Sequence, residues 1–348
     1  MECMSQNPPE PIRKENPFTA LMDLASDRLG GKALDSSDDF FAHKENLIKS
    51  PPAIFIPDKF TENGKWMDGW ESRRKRNIDS QSHDWCVVRL GAPGTIQGIN
   101  IDTSFFTGNF PEQASLEAGF FTDEKELLYR KWTEILPRST LAGGSDNFFV
   151  IKSTELFSHV RLNIFPDGGV ARLRVYGTVK PPWEKMIPEF AARQQTVDLA
   201  VATFGGLVVS CNDNFFGPKD NLIMPGRAIN MGDGWETRRK RGIDSNSHDW
   251  IIVKLGHPGK IKSIEVDTTH FKGNYPESCL IEGCGSQENP AQAQWQEVLP
   301  RTKLQPDHQH HLEIPVQNRD HVYGFVKLKI FPDGGVSRLR INGSPAQG

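Results

Sequence analysis

The 348-residue chain predicts an all-β protein built as two tandem β-sandwiches of the jelly-roll kind, made by an internal duplication. Three observations predict it. Long stretches occur twice in the same order. Within each copy, apolar residues alternate with polar ones at a period of two. The alternating runs are broken by strong turn chemistry such as "PDGG", in which Pro fixes φ, Asp starts a turn and Gly allows positive φ.

The duplication organises everything else. "DGWESRRKRNIDSQSHDW" from Asp68 matches "DGWETRRKRGIDSNSHDW" from Asp233 at fifteen of eighteen positions. "DDFFAHKENLI" at Asp38 pairs with "DNFFGPKDNLI" at Asp213, and "IDTSFFTGNFPE" at Ile101 with "VDTTHFKGNYPE" at Val266. "WTEILPRSTL" pairs with "WQEVLPRTKL", and "RLNIFPDGGVARLRVYG" with "KLKIFPDGGVSRLRING". The offset falls from 175 to about 165 residues at Asp68, so copy one holds about ten extra residues around "SPPAIFIPDKF". The expected organisation is a flexible tail over 1–20, a first domain over 21–178, a Pro-bearing polar linker over 179–195 and a second domain over 196–348.

The strands follow from the alternation. In "HVRLNIF", Val160, Leu162 and Ile164 face one way and His159, Arg161 and Asn163 the other. In "VARLRVYG", Leu173 and Val175 are expected inside, with Arg172 and Arg174 outside. Cys86 in "WCVVRL" reads as a small core residue. No long amphipathic helix and no βαβ alternation is expected.

Composition narrows the function. Lys and Arg total 41 against 44 Asp and Glu, a formal charge of −3, where a dedicated nucleic-acid binder carries a basic surplus. Each RRKR run is followed and preceded by acids (Asp68, Glu71, Asp79 and Asp84; Asp233, Glu236, Asp244 and Asp249), which disfavours a phosphate-binding patch. Five cysteines, an odd number without CxxC spacing, argue against a secreted disulfide scaffold. The apolar runs are too short for a membrane span, and a cytoplasmic protein without membrane or nucleic-acid partners is the expectation. No Walker loop, GxSxG elbow or dinucleotide fingerprint appears, so no cofactor is expected, and the sequence leaves a metal requirement open.

The repeated motifs supply the candidate chemistry. The guanidiniums of Arg74 and Arg239 suit a carboxylate, for which Arg makes paired charge-assisted hydrogen bonds; the alternative is a solvated loop. Arg172 and Arg338 read either as a basic wall over a cleft or as a solvated strand face. Asn109 and Asn274, in "GN" turns, can cap backbone or read a urea-like amide. Glu71, Glu236, Asp102 and Asp267 are candidate acid/base carboxylates. His270 replaces Phe105 in copy two and reads as a core histidine or an acid/base. His308, His310 and His311 cluster in copy two alone, with spacing poor for a metal.

The five collinear motifs, each present twice from about residue 21 to Asn342, resemble the allantoicase family. The resemblance implies two galactose-binding-like jelly rolls, a homo-oligomer and hydrolysis of allantoate to ureidoglycolate and urea in purine degradation. Allantoate carries a carboxylate and two ureido arms on one carbon. On the resemblance, Arg74 or Arg239, helped by Arg172 or Arg338, holds the carboxylate. Asn109 or Asn274 reads a ureido arm, and the Glu and Asp residues or His270 move protons. The rivals are a non-enzymatic module binding sugars or small anions, an RNA binder using the RRKR runs, and a relative that has lost activity.

Overall fold

The computed structural model describes residues 12–76, 78–128, 131–241, 244–285 and 289–347. They fall into two compact units, unit 1 (Met1–Lys180) and unit 2 (Pro181–Gly348). Each is almost entirely β and has its own eight-stranded hydrogen-bonded assembly.

A single 19-residue strand, Asp84–Asp102, is the spine of unit 1. Its first half pairs antiparallel with Phe157–Phe165 (Cys86 opposite Leu162) and with Lys32–Ser36. Its second half pairs with Arg172–Val179 (Asp102 opposite Arg172) and with Phe148–Val150. One strand thus serves both layers of the sandwich. The changeover falls at "GAPG", where close backbone approach requires glycine: a Cβ on Gly91 would lie 2.6 Å from Leu29, and one on Gly94 2.5 Å from the Thr178 carbonyl. Beyond Phe157–Phe165 lie Gln113–Gly119 and then Thr133–Thr140. Unit 2 repeats the plan around Asp249–Asp267, with "GHPG" at the changeover.

The expected alternation fills the core. Cys86, Val88, Leu116, Val160, Leu162 and Ile164 from one layer meet Ile99, Ile101, Leu173 and Val175 from the other, all fully buried. Each large aliphatic side chain removed from water contributes about 1.5–3 kcal/mol, so this alternating set drives the sandwich together.

Three expectations need correction. Arg172 and Arg338 do not face solvent; they are among the largest fully buried side chains. The face that alternation gave them is itself covered, by the chain around Pro51 and Asp68 in unit 1 and around Asp233 in unit 2. Second, the tail is docked where it is described. The Ile12 amide reaches the Gly144 carbonyl at 2.7 Å, and Phe18 is buried against Tyr176 and Phe148. Third, the linker region contains a ten-residue helix, Trp183–Ala192. None of the described helices is long and apolar enough to cross a membrane.

Candidate active site

In each unit the repeated motifs converge on one carboxylate–amide pair. The short strand Trp70–Glu71 pairs with Gly169–Val170, which begins on the last glycine of the PDGG turn. Trp70 anchors it, fully buried, with its indole N–H on the Asp38 carbonyl at 2.8 Å. The turn also fixes the "GN" loop. The Gly169 amide donates to the Asn109 carbonyl at 2.8 Å, and Gly168, at φ +132°, would put a Cβ 2.7 Å from that same oxygen. Only glycine lets turn and loop approach this closely. The result is a 2.6 Å hydrogen bond from Asn109 Nδ2 to Glu71 Oε1. In unit 2, Asn274 Nδ2 donates to Glu236 Oε1 at 2.5 Å, on the same supports from Gly334 and Gly335.

The basic runs resolve residue by residue. Arg73 bonds Asp38 at 2.6 Å and stacks over Phe40; Arg238 lies over Phe215, 3.9 Å from Asp213. Lys75 and Lys240 pair with the buried Asp84 and Asp249 at 2.7 and 2.6 Å. Arg74 remains largely exposed, 3.6 Å from Asp167, a residue missed in the sequence although "PDGG" repeats it. Arg239 is exposed and donates to the Gly273 carbonyl at 3.3 Å.

Other candidates lie apart from this pair. Arg172 donates to the Asp68 carboxylate at 2.7 Å and to the carbonyls of Asp68, Ala171, Pro51 and Pro52, which uses its N–H groups. Arg338 holds Asp233 and the Ser337 carbonyl in the same manner. Both brace the "DGWE" strand from beneath. Asp102 and Asp267 are buried; each caps the turn that follows it and pairs with an arginine, Arg13 and Arg227 respectively. His270 is half-buried at φ +74°, and its Nε2 faces the Ala228 carbonyl at 3.0 Å. In the histidine cluster, His310 is buried between the Val266 carbonyl and the Gln305 amide, and His311 is an exposed partner of Glu265. The cluster does not converge on a common point; among the described residues, the one metal-compatible grouping is Asp39, His43 and Glu45, with Lys44 inserted between its acids.

In unit 1 the pair opens into a cavity of about 550 Å³ lined by Glu71, Asn109, Thr107, Lys65, Phe41, Phe55, Met67 and Phe105. Burial raises the Glu71 carboxyl above its ordinary range, while the Asn109 amide and the nearby Arg74 charge oppose that rise. Phe55 and Lys65 escaped notice in the sequence because they lie in or beside the unrepeated segment, where no second copy draws attention to them. The allantoicase repeat family matches residues 22–180 and 197–346. Over 329 residues the chain is 47% identical to a probable allantoicase of Burkholderia mallei, covering 93% of this chain and 94% of that one.

The chain belongs to the allantoicase family. A probable allantoicase of Pseudomonas fluorescens is likewise 47% identical, over 95% of this chain and 98% of the relative. The crystal structure of allantoicase from Saccharomyces cerevisiae superposes with a TM-score of 0.78 at 35% identity, covering 92% of each chain. The carboxylate–amide pair is therefore embedded in an allantoicase repeat in both units.

Proposed function

We propose that this chain hydrolyses allantoate to ureidoglycolate and urea, in purine degradation, and that Glu71 is its catalytic carboxylate. The observation that carries the site is the half-buried Glu71 held by the Asn109 amide at the wall of a cavity roomy enough for a small ureide. In the reaction, the bond from the central carbon to one ureido nitrogen breaks and its electron pair leaves with urea. Water supplies the new C–O bond. Glu71, ionised, takes the water proton and passes it to the departing nitrogen. Burial makes it a stronger base than an ordinary carboxylate. The Asn109 amide keeps the carboxylate oriented, and Arg74 adds positive potential at this end of the cavity. Glu236, Asn274 and Arg239 form the corresponding set in unit 2. Arg172, Arg338, Asp102 and Asp267 act by holding backbone, and His270 shapes its loop. On the same reading the enzyme is a cytoplasmic homo-oligomer that takes a small molecule, without nucleic acid.

Urea release from purified chain and allantoate tests this. Glu71→Gln lowers kcat/KM by about 10²–10⁴-fold, with the melting temperature retained. Full activity in that variant removes Glu71 from the chemistry. No urea from the unaltered chain leaves the small-anion-binding reading in its place.

A further inference from the structure

We propose that Lys65 binds the substrate carboxylate in the unit 1 cavity and so selects ureido acids over uncharged ureides. The proposal rests on the Glu71 reading above. Lys65 is the one cation among the residues lining that cavity. Arg74, the alternative, is not in the lining; its side chain is 72% exposed and turned to Asp167.

The charge of Lys65 is available. Among the described residues no carboxylate lies within ion-pair distance of it; its ammonium donates to the Pro57 carbonyl and lies 5.0 and 4.9 Å from the ring centres of Phe55 and Phe60. An ammonium has three donors, so donors remain for an anion. The rings and the half-buried setting restrict water around it, which strengthens attraction to a carboxylate. Lys65 also stands outside ion-pair range of Glu71 although both line one cavity, which leaves room for a substrate whose carboxylate and scissile ureido arm share one carbon. The placement comes from the hairpin Phe60–Thr61 and Gly64–Lys65. At the repeat offset the corresponding position in unit 2 is Asn230, which carries no charge.

Lys65→Met tests it, with allantoate and its uncharged carboxamide as alternative substrates. KM for allantoate rises so that kcat/KM falls about ten- to a hundredfold, the value of a charge-assisted contact, while kcat changes little. Turnover of the carboxamide stays within about threefold of the unaltered enzyme, and Lys65→Arg recovers much of the loss on allantoate. An unchanged KM for allantoate in Lys65→Met, with Glu71→Gln inactive, overturns the role of Lys65 alone. Equal losses on both substrates also overturn it, because the residue is then structural. A fully active Glu71→Gln instead removes the cavity as the site. Should Lys65→Met fold poorly, Lys65→Gln gives the same comparison.

Discussion

Units 1 and 2 build the same carboxylate–amide pair on the same supports but surround it differently. In unit 1 the unrepeated segment brings Phe55 beside Phe105, their rings 5.8 Å apart, and leads into the hairpin that carries Lys65; these side chains wall a cavity. In unit 2 the shorter loop brings Ala228 to His270, and Phe216, Ile229 and Met231 stay exposed. Even shared features are reached by different routes: the arginine on Asp102 comes from residue 13, whereas the one on Asp267 comes from residue 227 of the short loop. The duplicated frame fixes where the carboxylate sits. What encloses it depends in part on the unrepeated segment that supplies Phe55 and leads to Lys65.

The largest expected effect breaks this symmetry outright. Glu71→Gln removes nearly all turnover, whereas Glu236→Gln, made at the unit without Lys65, lowers kcat/KM by less than about tenfold. Steady-state urea release with each variant decides it. Equal and large losses in both would mean that the surrounding wall matters less than the pair itself.

Next come the buried braces, where the units should behave alike. Arg172→Ala leaves Asp68, itself buried, without its closest cation, and Arg338→Ala does the same to Asp233. Losing one partner of a buried ion pair costs about 3–5 kcal/mol. Each variant should therefore show an earlier unfolding transition in calorimetry. A role in substrate binding alone would leave both transitions in place.

These arginines also show where the sequence could be read and where it could not. Period-two alternation located the strands around Leu162 and Leu173, because a half-buried sheet must put its apolar side chains on one face. It misplaced Arg172, because alternation says which residues share a face and not whether the second face is covered. Coverage here comes from Pro51 and Asp68, distant in sequence. The pairing of Glu71 with Asn109 was half legible: both residues stand in repeated motifs, but the PDGG turn that joins them is a tertiary contact. Lys65 was illegible, since its place in the cavity depends on the fold of a segment without a second copy. The docking of Arg13 and Phe18 was hidden by a Pro-rich, polar composition.

A smaller effect sharpens the electrostatics of unit 1. The Asn109 amide favours the ionised form of Glu71, so Asn109→Ala lets burial push the carboxyl higher still. A base must be ionised, so kcat/KM declines as pH falls through the Glu71 pKa. That decline lies above the ordinary glutamate value of about 4.3, and in Asn109→Ala it moves to higher pH. Arg74→Ala moves it the same way, because Arg74 opposes the same rise. A pH profile of kcat/KM that is unmoved in both variants would separate Glu71 from the titrating group.

The smallest effect concerns a position where the two units solve one packing problem with different residues. Asn147 and His310 stand at corresponding places in the strand order. The Asn147 amide donates to the Ile101 carbonyl at 3.0 Å and accepts from the Ala142 amide at 2.9 Å. His310 faces the Val266 carbonyl at 2.9 Å and accepts from the Gln305 amide at 2.8 Å. An acceptor at Nε2 means a neutral ring, and burial holds the His310 pKa below its ordinary value. The unfolded chain therefore binds a proton more readily than the folded one, so this contribution to stability is complete above about pH 6.5 and is lost as pH falls below it. His310→Asn should keep both backbone contacts, cost less than about 1.5 kcal/mol, and make unit 2 less sensitive to mild acid. His310→Ala, which leaves both backbone groups without that partner, should cost more at every pH. Unfolding transitions of the three proteins between pH 5 and 8 measure the difference. If His310→Asn keeps the full acid sensitivity, the histidine is not its source, and the two units differ at this position in shape alone.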